Sequence, residues 1–198
     1  VLEEAAARDL GVFIISPTDK GGMLQAPPQR LAELCRPLSP MAFNDLYCLG
    51  RPEVATISIG AARPLDFDVH VETVARLDEA TALLPEIDLR WRRAMAEATG
   101  HARPDEWWTR LPSWDETPGL INIPFILWLH DLARGWGLID YGRRRYALLG
   151  RDVKWVPGNN GAFVRQFDLG RIADRAGLEK EELVRLIEEA NRLLGESR

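Results

Sequence analysis

Two short segments of this 198-residue chain carry residue types and spacing that read as ligand-contacting, the second of them suited to an anion such as phosphate. The first is SPTDKGG, residues 16–22, which directly follows the apolar run VFIIS. Two adjacent glycines let the backbone approach a ligand closely or take a positive φ. A tight surface loop explains the same residues. The second is SIGAARPLDFDVHVE, residues 58–72, which reads as strand, glycine, then helix. The free N–H groups of a helix start, with the positive end of its dipole, favour an anion. Arg63 stands just ahead of that helix, where a guanidinium can pair with phosphate oxygens. Asp66 and Asp68 in the first turn also stabilise the dipole with no ligand at all.

Other reactive residue types offer less. Cys35 and Cys48 lie thirteen positions apart and read as buried thiols, with no spacing that suits zinc. His101 falls in a polar loop and His130 in an apolar helix. Neither has a second ligand at metal spacing, and neither is assigned a role. Asn44–Asp45 marks a helix irregularity or a solvated helix face. Arg143-Arg144-Arg145 reads as a solvated face or an internal ion-pair set.

The elements that must position these residues follow from periodicity. VFIIS, bounded by Gly11 and Pro17, suits a strand buried on both faces, and ATISI at 55–59 repeats the pattern and stops at Gly60. A helix precedes the first strand, with Gly11 as its expected C-cap. Helical stretches at 31–35 and 41–49 lie between the strands, and a helix over 66–84 follows, with apolar Phe67, Val71, Val74, Ala75 and Leu77. This is the rhythm of parallel βα units, and a gap of about forty residues accommodates a right-handed crossover. Beyond Pro85 the chain turns helical and Trp-rich. Helices are expected at 89–99, 123–137 (Asn122 as N-cap, Pro124 in the first turn), 141–149, 168–176 and 179–194. The last of these has Leu183, Val184, Ile187, Ala190, Leu193 and Leu194 at core-facing spacing.

Together the two loop segments resemble the last two βα units of aldo/keto reductases. Ser16, Pro17 and Thr18 stand at the family's Ser-Pro-Leu-like turn, and Gly60, Ala61, Ala62 and Arg63 at the loop opening the helix that holds the adenosine phosphate. GVFIISPTDKGGML, LCRPLSPMAFNDLYCL, TISIGAARPLDFDVHVE and PGLINIP further resemble, in the same order, the branch with a C-terminal ferredoxin-like extension. The resemblance implies an α/β fold: the last two βα units of a (β/α)8 TIM barrel over 1–85, then an all-α extension over 86–198. It implies a cofactor, NADP or NAD, contacted by Ser16, Pro17, Thr18, Gly60, Ala61, Ala62, Arg63, Asp66 and His70. Asp66 and His70 stand where the family has other residues on the adenine side, and an aspartate there is expected to repel a 2′-phosphate. Cluster-holding members carry cysteines before the Asn-Ile-Pro segment. Here that region is WWTRLPSWDETPGLINIP, so no iron–sulfur cluster is expected. Its Trp residues are expected to fill aromatic core, each N–H needing a partner.

The family's tyrosine donor and its aspartate, lysine and histidine partners come from earlier barrel strands, so no catalytic residue is assigned to Tyr47, Tyr141 or Tyr146. The expected partner of the full-length protein is a small carbonyl compound, and an oligomer is admissible. A net charge of −5 argues against a general nucleic-acid surface. No 18-residue apolar stretch occurs, and acids stand near the first residues where a signal peptide needs basic ones, so neither a membrane nor an exported location is expected. A cytoplasmic protein is the reading. Burying one Val, Leu, Ile or Phe is worth about 1.5–3 kcal/mol, so two apolar strands imply a larger sheet to cover them. The alternative is a non-catalytic helical interaction or oligomerisation module on a barrel remnant.

Overall fold

The computed structural model describes residues 1–17, 23–61, 63–151 and 154–195. These are mostly helical, with one two-stranded parallel sheet among the described residues. They form two compact units, Val1–Arg90 and Trp91–Arg198.

In the first unit, α1 (Leu2–Ala7) leads to β1 (Val12–Ile14), α2 (Gln29–Cys35), α3 (Pro40–Leu49), β2 (Val54–Ile57) and α4 (Asp68–Val74). β1 and β2 are parallel neighbours, as their matched apolar patterns predict, with Val12 opposite Val54, Phe13 opposite Thr56 and Ile14 opposite Ile57. The register slips by one residue after Val12, and Ser58 N–H donates to the Ile14 carbonyl at 2.8 Å to close the pair. α3 is the packing centre, burying Pro40, Met41, Ala42, Phe43, Asp45 and Leu46 against α2, α4 and β2. Its start is fixed by Ser39, whose hydroxyl accepts from Ala42 N–H at 3.0 Å, with Pro40 in the first turn.

Several local expectations are corrected. The strands are not buried on both faces: Phe13 is 59% exposed and Ile15 71% exposed, because no further strand or helix of the described residues covers them. The first helix ends at Ala7, not at Gly11, and Asp9 takes the left-handed turn with φ 53°. The expected helix over 66–84 is broken into a 3-10 turn at Pro64–Phe67, α4, and a second turn at Leu77–Glu79. α5 (Ala80–Thr99) then runs straight through Pro85, where a boundary was expected. Pro85 is the sixth helical residue, and the carbonyl its missing N–H strands belongs to exposed Thr81, which water can satisfy. Cys35 is buried, but Cys48 is only half-buried.

In the second unit α6 (Trp107–Arg110) precedes α7 (Ile123–Trp136), the central helix, with α8 (Ile139–Tyr146), α9 (Gly170–Ala176) and α10 (Lys180–Leu194) around it. Asn122 caps α7 as the sequence predicts, its side chain accepting from Phe125 N–H, and Gly137 ends the helix at φ 77°. Ile123, Ile126 and Leu129 of α7 meet Leu183, Ile187 and Ala190 of α10 in one apolar core, while Leu193 is half-buried at its margin. α8 spans 139–146, earlier than expected. Trp107 fills the core and donates its indole N–H to Asp131 at 2.7 Å. Trp108, by contrast, is 48% exposed, and Trp114 is half-buried.

Tyr146 is buried and its hydroxyl is held between Gly161 N–H and Asn191. Burial pushes its phenol up to about 12, with the Gly161 bond acting weakly the other way. An unfolded tyrosine ionises near 10. Its contribution is therefore fully present below pH 10 and is lost as pH rises towards 12, on the order of 2–3 kcal/mol. Urea denaturation followed by Trp fluorescence at pH 9, 10.5 and 12 is expected to show that loss, and Tyr146→Phe to flatten most of it.

Candidate functional site

The carboxyl ends of β1 and β2 lie side by side because the strands are paired in parallel, and the segments holding Ser16–Pro17 and Gly60–Ala61 follow those ends. Ser16 takes φ 55°, in the left-handed region, and is exposed. That conformation is uncommon for a non-glycine residue and clusters at ligand-contacting turns. Pro17 follows it, half-buried. Gly60 and Ala61 are exposed, and the Gly60 carbonyl accepts from the Gln25 side chain at 3.5 Å. Thr18 and Ala62 lie outside the described residues.

Arg63 is built into a local clamp. Its backbone N–H donates to Asp66 Oδ2 at 2.9 Å, and its Nε and Nη2 donate to Asp66 Oδ1 at 3.2 and 2.9 Å. The Arg63 side chain is 77% exposed while that of Asp66 is 9% exposed, so the carboxylate works inward and the guanidinium faces solvent. Such an exposed pair adds little stability by itself. Its effect is to fix the guanidinium at the opening of the Pro64–Phe67 turn and to offset the negative charge that Asp66 would otherwise present.

His70 does not share that exposed surface. It is buried, with Nδ1 at 2.5 Å from Asp45 Oδ2, and Asp45 is 1% exposed. The reading of Asn44–Asp45 as a solvated face or helix irregularity is thus corrected for Asp45: it lies inside α3's packed face, and Asn44 Nδ2 donates to it at 3.3 Å. α4 is turned so that His70 and Thr73 are its buried residues, while Val71 is 69%, Val74 48% and Phe67 47% exposed. His70 and Thr73 thus face the unit's own interior, while Asp68, Val71, Glu72 and Val74 face out and Val69 is half-buried. Sequence reasoning missed the Asp45–His70 pair. The available signal was an aspartate inside the otherwise apolar run PMAFNDLYCL.

The remaining titratable groups sit elsewhere. Cys48 has its thiol pushed up by burial and by the Asp45 carboxylate, which lowers its reactivity. Tyr47 is 48% exposed and accepts from Arg51 Nη2 at 3.2 Å. His130 is a core imidazole, 3.6 Å from Asp131 and 3.9 Å from Glu189. His101 packs edge-on against Trp107, 3.5 Å from Glu106. Of the basic triplet, Arg143 and Arg144 are exposed, and Arg145 lies over the rings of Tyr141 and Trp155 at 5.6 and 5.0 Å.

No helix among the described residues is long and apolar enough to cross a membrane. Compared with known protein families, with curated proteins and with solved structures, the chain matches none of them.

Proposed function

We propose that this chain is the C-terminal part of an NAD(P)-dependent aldo/keto reductase, carrying the last two βα units of a (β/α)8 barrel and a helical extension. The observation that carries the reading is the parallel pairing of β1 with β2, which puts the carboxyl ends of both strands, where the segments holding Ser16 and Gly60 begin, at the same end of the sheet. Active sites of such barrels are built at that face. The exposed apolar residues add support. Phe13 and Ile15 on the sheet, and Phe67, Val71 and Val74 on and beside α4, form more uncovered hydrophobic surface than a ninety-residue unit needs. In this proposal the other six strands, supplied by the rest of the polypeptide, adjoin the sheet.

The donor set at the strand ends fits a phosphate-bearing ligand. Arg63 offers a guanidinium already oriented by Asp66, Ser16 offers an exposed hydroxyl, and Gly60 and Ala61 offer backbone without bulk. When bound, the nicotinamide cofactor supplies the hydride that reduces a carbonyl. This chain's residues would hold the pyrophosphate and adenosine. Because Asp66 is spent on Arg63, the repulsion expected towards a 2′-phosphate is offset, and NADP and NAD are both accommodated. His70 would act from behind, by holding α4 on α3 through Asp45. The proton donor and its partners belong to earlier strands, so the isolated chain is expected to be inactive.

A second reading, a helical interaction module on a barrel remnant, is favoured by one feature of Trp91–Arg198. Trp108, Phe125, Trp128 and Tyr141 form a run of ring contacts at 5.6–6.5 Å, ending at Arg145 and half-exposed Trp155. Fluorescence titration of the isolated chain with NADPH and NADH separates the possibilities. Very weak or no binding is expected; sub-micromolar affinity would show that the site needs no further strands and overturn the proposal in this form. Upstream in-frame sequence with Asp, Tyr, Lys and His at strand ends favours the reductase, and its lack there favours the module.

A further inference from the structure

Asn160 is the one asparagine of this chain that precedes a glycine. That dipeptide is chemically labile. The backbone nitrogen of the second residue can attack the side-chain amide carbon of the first, and a glycine presents no Cβ to hinder the five-membered ring that results. What holds the two reacting groups therefore decides how fast the ring closes.

Both groups are held in the second unit. Gly161 is buried and its N–H donates to the Tyr146 hydroxyl at 3.3 Å, while Tyr146 donates in turn to Asn191 Oδ1 of α10 at 3.1 Å. The Gly161 nitrogen must lose its proton to react, so it must first leave the phenol. Asn160 is half-buried, and its Oδ1 accepts from Ala162 N–H at 3.1 Å, which fixes the side chain that would be attacked. The flanks are pinned as well. Asn159 N–H donates to the Leu120 carbonyl at 2.8 Å, Asn122 N–H to the Asn159 carbonyl at 3.0 Å, and Val164 N–H to the Gly161 carbonyl at 3.2 Å. The segment also lies directly on α10: a Cβ added at Gly161 would stand 2.2 Å from Ile187 Cγ2. Packing thus demands the glycine that makes the pair labile, and it leaves no space for a longer backbone at this point.

We propose that Asn160–Gly161 is a self-modification site latched by Tyr146, which deamidates when the 160–163 segment opens. The Gly161 nitrogen forms a bond to Asn160 Cγ, the Cγ–Nδ2 bond breaks, and ammonia leaves with the proton that the nitrogen gave up. Water then opens the cyclic imide at either carbonyl, giving aspartate or isoaspartate. Isoaspartate adds one carbon to the main chain, which displaces Gly161 from Ile187 and keeps the segment from closing again. The inference stands independently of the reductase reading.

The test incubates the full chain in mildly alkaline buffer, with and without denaturing urea, and follows residue 160 by peptide mass mapping and an isoaspartate-specific methylation assay. Conversion is expected to be at least about tenfold slower in the folded chain than in urea, because it waits on local opening. Tyr146→Phe keeps the ring and removes the latch, and should speed conversion in the folded chain about fivefold, the net worth of one hydrogen bond. Leu183→Ala loosens the same core with the hydroxyl in place, and should speed it less when urea brings both variants to equal stability. Chain aged to isoaspartate should lose amide-exchange protection at Gly161 and in α10, while Asn160→Asp, with the backbone length unchanged, keeps it. Equal rates in folded and unfolded chain, or a Tyr146→Phe rate no higher than that of matched Leu183→Ala, overturns the latch. Protection retained in the isoaspartate form overturns the displacement from Ile187.

Discussion

His70→Ala is expected to destabilise the first unit by about 3–5 kcal/mol, the largest effect of any single substitution considered for it. The reason is what remains. Asp45 is 1% exposed, and without the imidazole its carboxylate keeps, among the described residues, only the side chain of Asn44 as a hydrogen-bond partner inside the packed face of α3. A buried carboxylate stripped of its partner bears most of its desolvation cost. Replacing both groups by apolar residues, Asp45→Leu with His70→Leu, removes the charge as well and should recover most of the loss. All seven Trp residues lie at or beyond position 91, so tryptophan fluorescence is blind to this unit. Amide hydrogen exchange at α3 and α4 is the suitable readout. Protection there that survives His70→Ala to within about 1 kcal/mol would mean that the pair does not hold α4 in place.

Gly119→Ala should cost the second unit roughly 2–5 kcal/mol, from two causes that add. Gly119 has φ 68°, where an alanine pays about 1–2 kcal/mol in backbone strain. A Cβ there would also lie 2.4 Å from Phe167 Cζ and 2.5 Å from Cε2, so the ring must move, and overpacking of this kind costs about 1–3 kcal/mol. The Gly119 carbonyl also accepts from Asn159 Nδ2 at 2.8 Å, tying this turn to the one at Pro157–Asn159. Urea denaturation read by tryptophan fluorescence measures the effect. Adding Phe167→Leu should relieve the clash but not the strain, recovering about half. A change below about 0.5 kcal/mol for Gly119→Ala alone would contradict the close packing of this turn.

What the sequence made legible and what it did not differ by the range of the interaction. VFIIS and ATISI could be read as neighbouring parallel strands because a continuous apolar run is a local signal, and the α7 cap could be read because Asn122 acts on a residue three positions away. The Asp45–His70 pair could not, since it joins residues twenty-five apart and depends on how α4 is rotated against α3. The same rotation sets which residues of α4 are covered: Val71 and Val74, apolar positions of the expected 66–84 helix, are exposed, and His70 and Thr73 are the buried ones. Pro85 misled for a different reason: a proline marks a helix end only when the carbonyl it strands cannot reach water, and at exposed Thr81 it can. At the strand ends, the composition of Ser58–Glu72 pointed to an anion site, but it did not disclose that Asp66 would orient Arg63 instead of standing apart from it.

In the proposed reductase the carboxyl ends of β1 and β2 meet a nicotinamide dinucleotide once the remaining barrel strands adjoin them. The most direct measurement is hydrogen exchange on the full-length polypeptide containing this chain, with and without saturating NADPH. Slowed exchange is expected at Ser16, at Gly60–Ala61 and at Arg63–Asp66, with Arg63→Gln weakening the cofactor about tenfold. Unchanged exchange at all of these amides under saturation, with protection appearing in other segments, would contradict it.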